Sequence, residues 1–247
     1  MKIKNYRKIL SILKENDKVL DIGGWERPFN RATHVLDILP FHSRKKINSF
    51  PKEMKEHFNK NTWIMHDIKN KLPFNDKEFD FVICGHVLED IKDPAFLAEE
   101  IKRISKSGYF EFPNRAYEMK NNVDPFLNSD RYVGFCHHRW MVEARNGVLI
   151  FTPKTLIHSA YKELRCVKVK EKYTGFFWKN SFKLKEIFFS SQKEIIDDAL
   201  KFRSIADNIP MHLMKKINKV NRAISIIRYC FNFPILINRF INKKIKD

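Results

Sequence analysis

Acids, histidines and glycines stand at the ends of apolar runs in this chain, where side chains can reach a ligand. VLDIGG at 19–24 carries Asp21, Gly23 and Gly24, and VLD at 35–37 ends in Asp37. Asp67 and Ile68 follow a third run, Gly85, His86 and Asp90 follow a fourth, and Glu111 interrupts the aromatic run YFEF. An ionised carboxylate only accepts hydrogen bonds, so it suits hydroxyl groups of a ligand, and histidine titrates near neutrality. His86, Asp90, Glu111, His137 and His138 are therefore the candidates for moving a proton. Glu111 is costly to bury unpaired, so it either points into a site or pairs with a cation. His137 and His138 are read as neighbours on a strand, facing opposite ways, and no other His/Cys spacing supports a metal, so none is expected.

The elements that must position these groups follow from periodicity. Short apolar runs at 18–22, 33–38, 62–66, 79–84 and 109–112 read as buried parallel strands. Only about ten residues, including Pro28 and Asn30, separate the first two, which leaves room for one helical turn. Helices are expected near 51–58 and at 94–105, the second ended by Gly108 as a C-cap. Residues 113–137 are aperiodic and are expected to form a lid. Asn146-Gly147 between two apolar runs signals a type I′ hairpin, expected to close the sheet with an antiparallel edge. Beyond Pro153 the pattern reads as helical and basic. The expected division is an α/β domain over 1–152 and a basic helical extension over 153–247.

Composition bounds the function. At 247 residues with 43% hydrophobic content the chain can bury a full core. Four scattered cysteines without CxxC spacing argue against a disulfide framework and fit a reducing cytoplasm. The amphipathic N-terminus lacks the apolar stretch of a signal peptide, and no apolar run is long enough for a bilayer span. The formal net charge of +18 suits a polyanionic partner, and residues 211–247 hold nine Lys/Arg against one Asp on an apolar stripe. Such a segment covers a core or lies on anionic lipid at the inner face of a membrane, with RNA as a third option.

The segment LPFNDKEFDFVICGHVLEDIKDPAFLAEEIKRISKSGYFEFPN, with VLDIGG and VLD, resembles the class I S-adenosylmethionine-dependent methyltransferases whose fourth strand ends in HVLEH. The likeness covers about residues 17–114. It implies a Rossmann-like, mostly parallel α/β sheet and S-adenosylmethionine as cofactor. It also implies cofactor binding by Asp21, Gly23, Gly24, Asp37, Asp67, Ile68 and Gly85. Asp37 would take the ribose hydroxyls, Asp67 and Ile68 would meet adenine, and His86 would face the amino-acid part or the substrate. His86, Asp90, Glu111 and His138 are the expected catalytic set.

Two positions depart from the family pattern. Trp25, Glu26, Arg27 and Pro28 follow Gly24 where a third glycine and a helix are usual, so this loop either replaces the helix as a pocket wall or marks lost cofactor binding. Asp90 replaces the second histidine of HVLEH. A dinucleotide fold would want GxGxxG opening a helix, and a P-loop wants GxxxxGK[ST]; neither occurs. The chain also lacks the [DN]PP[YW] stretch of nucleobase amine methylation, and Cys84 reads as a buried hydrophobe rather than a nucleophile. The reading is O- or N-methylation of a small molecule or of a glycan or lipid-linked intermediate. An RNA methyltransferase and a catalytically silent binding module are the alternatives.

Overall fold

The computed structural model describes residues 1–216 and Lys219, except Glu26, 45–54 and 128–130. Five parallel strands build the centre: β1 (Val19–Ile22), β2 (His34–Asp37), β3 (Trp63–Met65), β4 (Phe81–Gly85) and β5 (Ser107–Pro113). The sheet runs β3-β2-β1-β4-β5 and then adds β8 (Tyr173–Lys179), antiparallel to β5. The strand order reverses direction between β1 and β4, and ligands of open α/β sheets bind outside the carboxyl ends at such a switch point. Register brings the sequence-predicted residues there. Asp21 pairs with Val35 and Ile83, Asp37 with Met65, and Gly85 with Glu111.

The strands are largely apolar because both faces are covered. Leu20, Ile22, Leu36, Val82, Cys84, Phe110 and Phe112 face one side. There they meet Leu97, Ala98, Ile101 and Ile104 of α2 (Pro94–Ile104). Val19, Val35, Phe81, Ile83 and Tyr109 face the other side, against Tyr6 and Ile9 of α1 (Ile3–Ile12). Asp93 caps α2 by accepting the Phe96 N–H at 2.8 Å, Pro94 opens the helix, and Lys102 and Arg103 sit on its last turn. Arg103 then bonds the Leu72 and Phe74 carbonyls, which fastens the turn-rich loop that leads into β4.

Several expectations are corrected here. The hairpin β6 (Trp140–Arg145) and β7 (Val148–Pro153) forms with Asn146 and Gly147 both at positive φ, as type I′ requires, but it does not edge the main sheet. It joins β9 (Lys183–Glu186) in a separate three-stranded sheet, and β8 takes the antiparallel edge. Residues 173–179 and 183–186 are therefore strands, and the segment after Pro153 is not a purely helical extension. Gly108 is not a helix C-cap. It lies within β5, where an added Cβ would stand 2.6 Å from the Val82 carbonyl oxygen and 2.9 Å from the Trp178 ring.

The expected helix over 51–58 falls partly outside the described residues, and 55–58 are not helical. Among the described residues of 114–137, the regular structure is α3 (Arg115–Glu118) and an isolated bridge between Asn121 and Val133. After the short α4 (Leu156–Ala160), α5 (Gln192–Asp207) buries Ile195, Ile196, Ala199 and Leu200. Its Asp198 pairs with Arg115, which also bonds Glu143 of β6 at 2.9 Å, so the helix is tied into the α/β body. Met214, in the helical stretch 211–216, is fully buried in the same cluster. The basic segment from 217 onward lies outside the described residues, Lys219 apart.

Candidate functional site

Two cavities open at the carboxyl ends of β1, β2 and β4, and Gly23 and His86 line both. The larger, about 740 Å³, lies between the β1 end, β4, β5 and α1, with Asp21, Gly24, Gly85 and Glu111 in its wall. The smaller, about 400 Å³, is walled by Asp37, Asp67, Ile68, Val87, Asp90 and Arg139 among others. Every cofactor residue expected from the sequence therefore lines one cavity or the other. Of the expected catalytic residues, His86, Glu111 and Asp90 do so, whereas His138 lines neither.

Gly23 turns the chain at φ 75°, and its N–H bonds the Leu36 carbonyl at 2.9 Å. A Cβ there would lie 2.4 Å from Val87, so the glycine serves packing of the chain against itself as well as access to the cavity. The loop after Gly24 folds back instead of opening a helix. The Phe29 N–H donates to Asp21 Oδ2 at 2.6 Å, and the Trp25 N–H donates to Asp37 Oδ2 at 3.1 Å. Trp25 Nε1 also donates to Ser43 Oγ. Trp25, Arg27, Pro28 and Phe29 thereby wall the larger cavity.

The two acids that hold this loop remain available to a ligand. Asp37 receives the Leu39 N–H on Oδ1 at 2.8 Å and the Trp25 N–H on Oδ2, one bond to each oxygen. A carboxylate offers about four acceptor positions, so one is left on each oxygen, as a vicinal diol requires. Asp21 is 5% exposed, and burial pushes its carboxyl up to about 7; the Phe29 N–H opposes the shift and nearby Asp37 adds to it. A buried acid held near neutrality in a cavity wall is short of a cation.

His86 occupies the boundary between the cavities at φ 58°, a region that non-glycine residues enter at a cost. Its N–H bonds the Glu111 carbonyl at 2.8 Å. The ring reaches Glu89 Oε1 with Nδ1 at 3.2 Å and Glu111 Oε1 with Nε2 at 3.5 Å. Burial alone would lower its pKa, but its pairing with the Glu111 and Glu89 carboxylates and their charges raise it to about 9. Burial would raise the Glu111 carboxyl. The hydrogen bonds from His86 and Tyr109 and the Lys2 N–H outweigh that and hold it well below the usual carboxylate range. His86 is thus an imidazolium clamped between carboxylates at neutral pH, which removes it as a proton acceptor. Sequence patterning does not reveal this clamp, although Glu89, three residues after His86, was in view within HVLED.

Asp67, two residues past the end of β3, is half-exposed, taking the Lys69 N–H at 3.1 Å and pairing with Lys69 Nζ at 3.1 Å. His137 and His138 do not lie on a strand with opposed side chains, as their adjacency predicts. They sit in a turn before β6, rings 4.5 Å apart, and both face Asp90. The turn is fixed because the Arg139 and Trp140 N–H groups both donate to the Glu89 carbonyl. His138 is buried with Nδ1 2.7 Å from Glu118 Oε1, and Lys154 Nζ is 2.6 Å from Glu118 Oε2. Neither Glu118 nor Lys154 is marked by any motif.

Residues 44–111 match the methyltransferase domain family model (Methyltransf_11). No curated protein matches the chain. Among solved structures, it is similar to a chain of the complex between the Haloferax volcanii Trm112 methyltransferase activator and a methyltransferase. That match has 22% identity and a TM-score of 0.33, covering 44% of this chain and 50% of that one. A Thermotoga maritima S-adenosylmethionine-dependent methyltransferase matches at 21% identity with a TM-score of 0.31, covering 45% and 51%. One from Methanosarcina mazei matches at 14% with a TM-score of 0.37, covering 56% and 85%. The chain thus spans about half the length of the first two of these structures. The matched segment runs from the β2–β3 connection through β4 and α2 to Glu111, inside a sheet ordered 3-2-1-4-5 with an antiparallel strand beyond it. Residues 44–111 thus carry a methyltransferase-domain match within a Rossmann-like, mostly parallel sheet.

Proposed function

We propose that this chain transfers a methyl group from S-adenosylmethionine to an oxygen or nitrogen of a small molecule or of a glycan or lipid-linked intermediate. The observation that carries the reading is the pair of cavities joined at Gly23 and His86, with Asp37 in one and the cation-short Asp21 in the other. The residues fit the cofactor by their chemistry. Asp37 accepts from the ribose hydroxyls, Asp67 and Ile68 lie where adenine would be met, and Asp21 balances the ammonium of the methionine part. Bound in this way, the cofactor supplies an electrophilic methyl on a sulfonium.

The protein's own contribution is position and charge. Displacement at a methyl group is in-line, so holding the nucleophile accounts for much of the rate. The larger cavity, about 740 Å³, exceeds what an amino-acid end needs and leaves room for an acceptor among Trp25, Phe29, Tyr6 and Ile3. The His86–Glu111 pair faces that space as a fixed donor and a fixed anion. Because His86 keeps its proton, it orients an acceptor rather than deprotonating it. The test is transfer of radiolabelled methyl from S-adenosylmethionine to metabolite, envelope-glycan, lipid and RNA fractions, using wild type and Asp37→Ala. Label in the glycan, lipid or small-molecule fraction, lost in the variant, supports the reading. Label in RNA replaces the acceptor class, and binding without transfer points to a silent module.

A further inference from the structure

We infer that Asp90, His137 and His138 form a site for a divalent cation of the zinc class, linking the loop after β4 to the turn that ends the 113–137 segment. One donor atom from each of the three residues lies within 4.8 Å of the others. His138 Nε2 is 3.5 Å and His137 Nε2 is 3.8 Å from Asp90 Oδ1. Two donors on one tetrahedral zinc ion, at ordinary ligand distances, stand about 3.3 Å apart, so the two histidine–aspartate separations are within about half an ångström of that spacing.

Three features favour a metal over a plain ion pair. Asp90 Oδ1 is shielded from solvent and accepts no hydrogen bond, a costly state for a carboxylate oxygen. Neither His138 Nε2 at 3.5 Å nor His137 Nε2 at 3.8 Å makes a hydrogen bond to that oxygen. The other nitrogen of His138 is already committed. Nδ1 bonds Glu118 Oε1 at 2.7 Å, and Lys154 fixes the far oxygen of that carboxylate. A buried carboxylate behind the distal nitrogen is the usual support of a metal-ligating histidine, because it sets the tautomer that leaves Nε2 free to ligate. Two imidazoles and one carboxylate suit zinc and its first-row neighbours better than magnesium or calcium.

Three protein donors leave a coordination position for water or a ligand atom, and Asp90 also lines the smaller cavity. The cation would hold residues 135–138 against that cavity's rim. The site stands on its own donors and does not depend on methyl transfer.

The test uses the full chain, stripped with chelator and dialysed against zinc chloride. Metal is counted by mass spectrometry after gel filtration, and cobalt substitution is followed by visible absorption. One equivalent per chain is expected, with a tetrahedral cobalt spectrum. Asp90→Asn, His138→Gln and His137→Ala should each weaken binding at least tenfold, and Glu118→Gln by about 10–100-fold, the usual effect of losing such a support. His137 is 60% exposed, so its variant tests the site without disturbing the core. Cys136→Ser should bind as wild type does. No bound equivalent, or binding that survives His137→Ala and Asp90→Asn but not Cys136→Ser, overturns the inference.

Discussion

Asp21 gives the sharpest quantitative expectation, because its carboxyl is held near 7 by burial and the proposed ligand brings a cation to it. If the ammonium of S-adenosylhomocysteine binds only the ionised carboxylate, apparent affinity should fall about tenfold for each pH unit below 7 and level off above it. From pH 7.5 to 5.5 the loss is roughly 25-fold, or about 1.9 kcal/mol. The ligand's own α-amino group, with an ordinary pKa of about 8, is mostly protonated across this window. His86, raised to about 9, and Glu111, held low, keep their charges there as well. The assay is calorimetry at several pH values, in two buffers of different ionisation enthalpy, which also counts released protons. Just under one proton should leave at pH 6, and Asp21→Asn should bind more weakly at pH 7.5 with little pH dependence. Stability follows with its own sign. The folded pKa is raised, so Asp21 costs the ligand-free protein stability as pH rises through 7, and Asp21→Asn should melt higher than wild type at pH 8. Wild-type affinity flat from pH 5.5 to 7.5 would refute the reasoning.

Asp37→Ala should lose about 1.5–3 kcal/mol of S-adenosylhomocysteine binding, the value of hydrogen bonds to a charged acceptor, as read by calorimetry. In Glu111→Gln the His86 pKa should drop from about 9 toward its ordinary 6.5, visible as a shifted imidazole titration by NMR. Chymotrypsin should cut first near Phe126, which is 89% exposed in the 113–137 segment, and cofactor with acceptor should slow that cut if the segment closes as a lid. The full chain should cosediment with anionic but not neutral vesicles, in a salt-sensitive way, and a chain ending at Lys216 should not. That cut keeps Met214, whose burial belongs to the core; equal recovery with both lipids would remove the membrane.

The parts of the fold legible in the sequence are those in which a local pattern decides the outcome. β1, β2 and β4 are apolar runs that end in or beside an acid or glycine, β5 is an aromatic run closed by Pro113, and α2 carries its own cap in Asp93-Pro94, so their order and ends could be read directly. The type I′ turn was legible because Asn146-Gly147 suits two successive positive φ angles. β8 was not legible. Its partner β5 lies more than sixty residues earlier, and YTGFFWK falls in a stretch between two helical patterns where no element is expected. Gly108 misled because a glycine after a helical pattern signals a cap, whereas its smallness answers the Val82 carbonyl and the Trp178 ring across two strands. At the site, residue types were readable but their states were not. The raised Asp21, the His86 clamp and the convergence of His137 and His138 on Asp90 all depend on groups distant in sequence.

Equilibrium dialysis of the full chain with labelled S-adenosylmethionine at pH 7.5 addresses the central claim most directly. One equivalent should bind, displaced by S-adenosylhomocysteine and not by NAD, with affinity reduced in both Asp37→Ala and Asp21→Asn. Absence of binding by the wild type at millimolar ligand, or binding unaffected by both substitutions, would contradict the account.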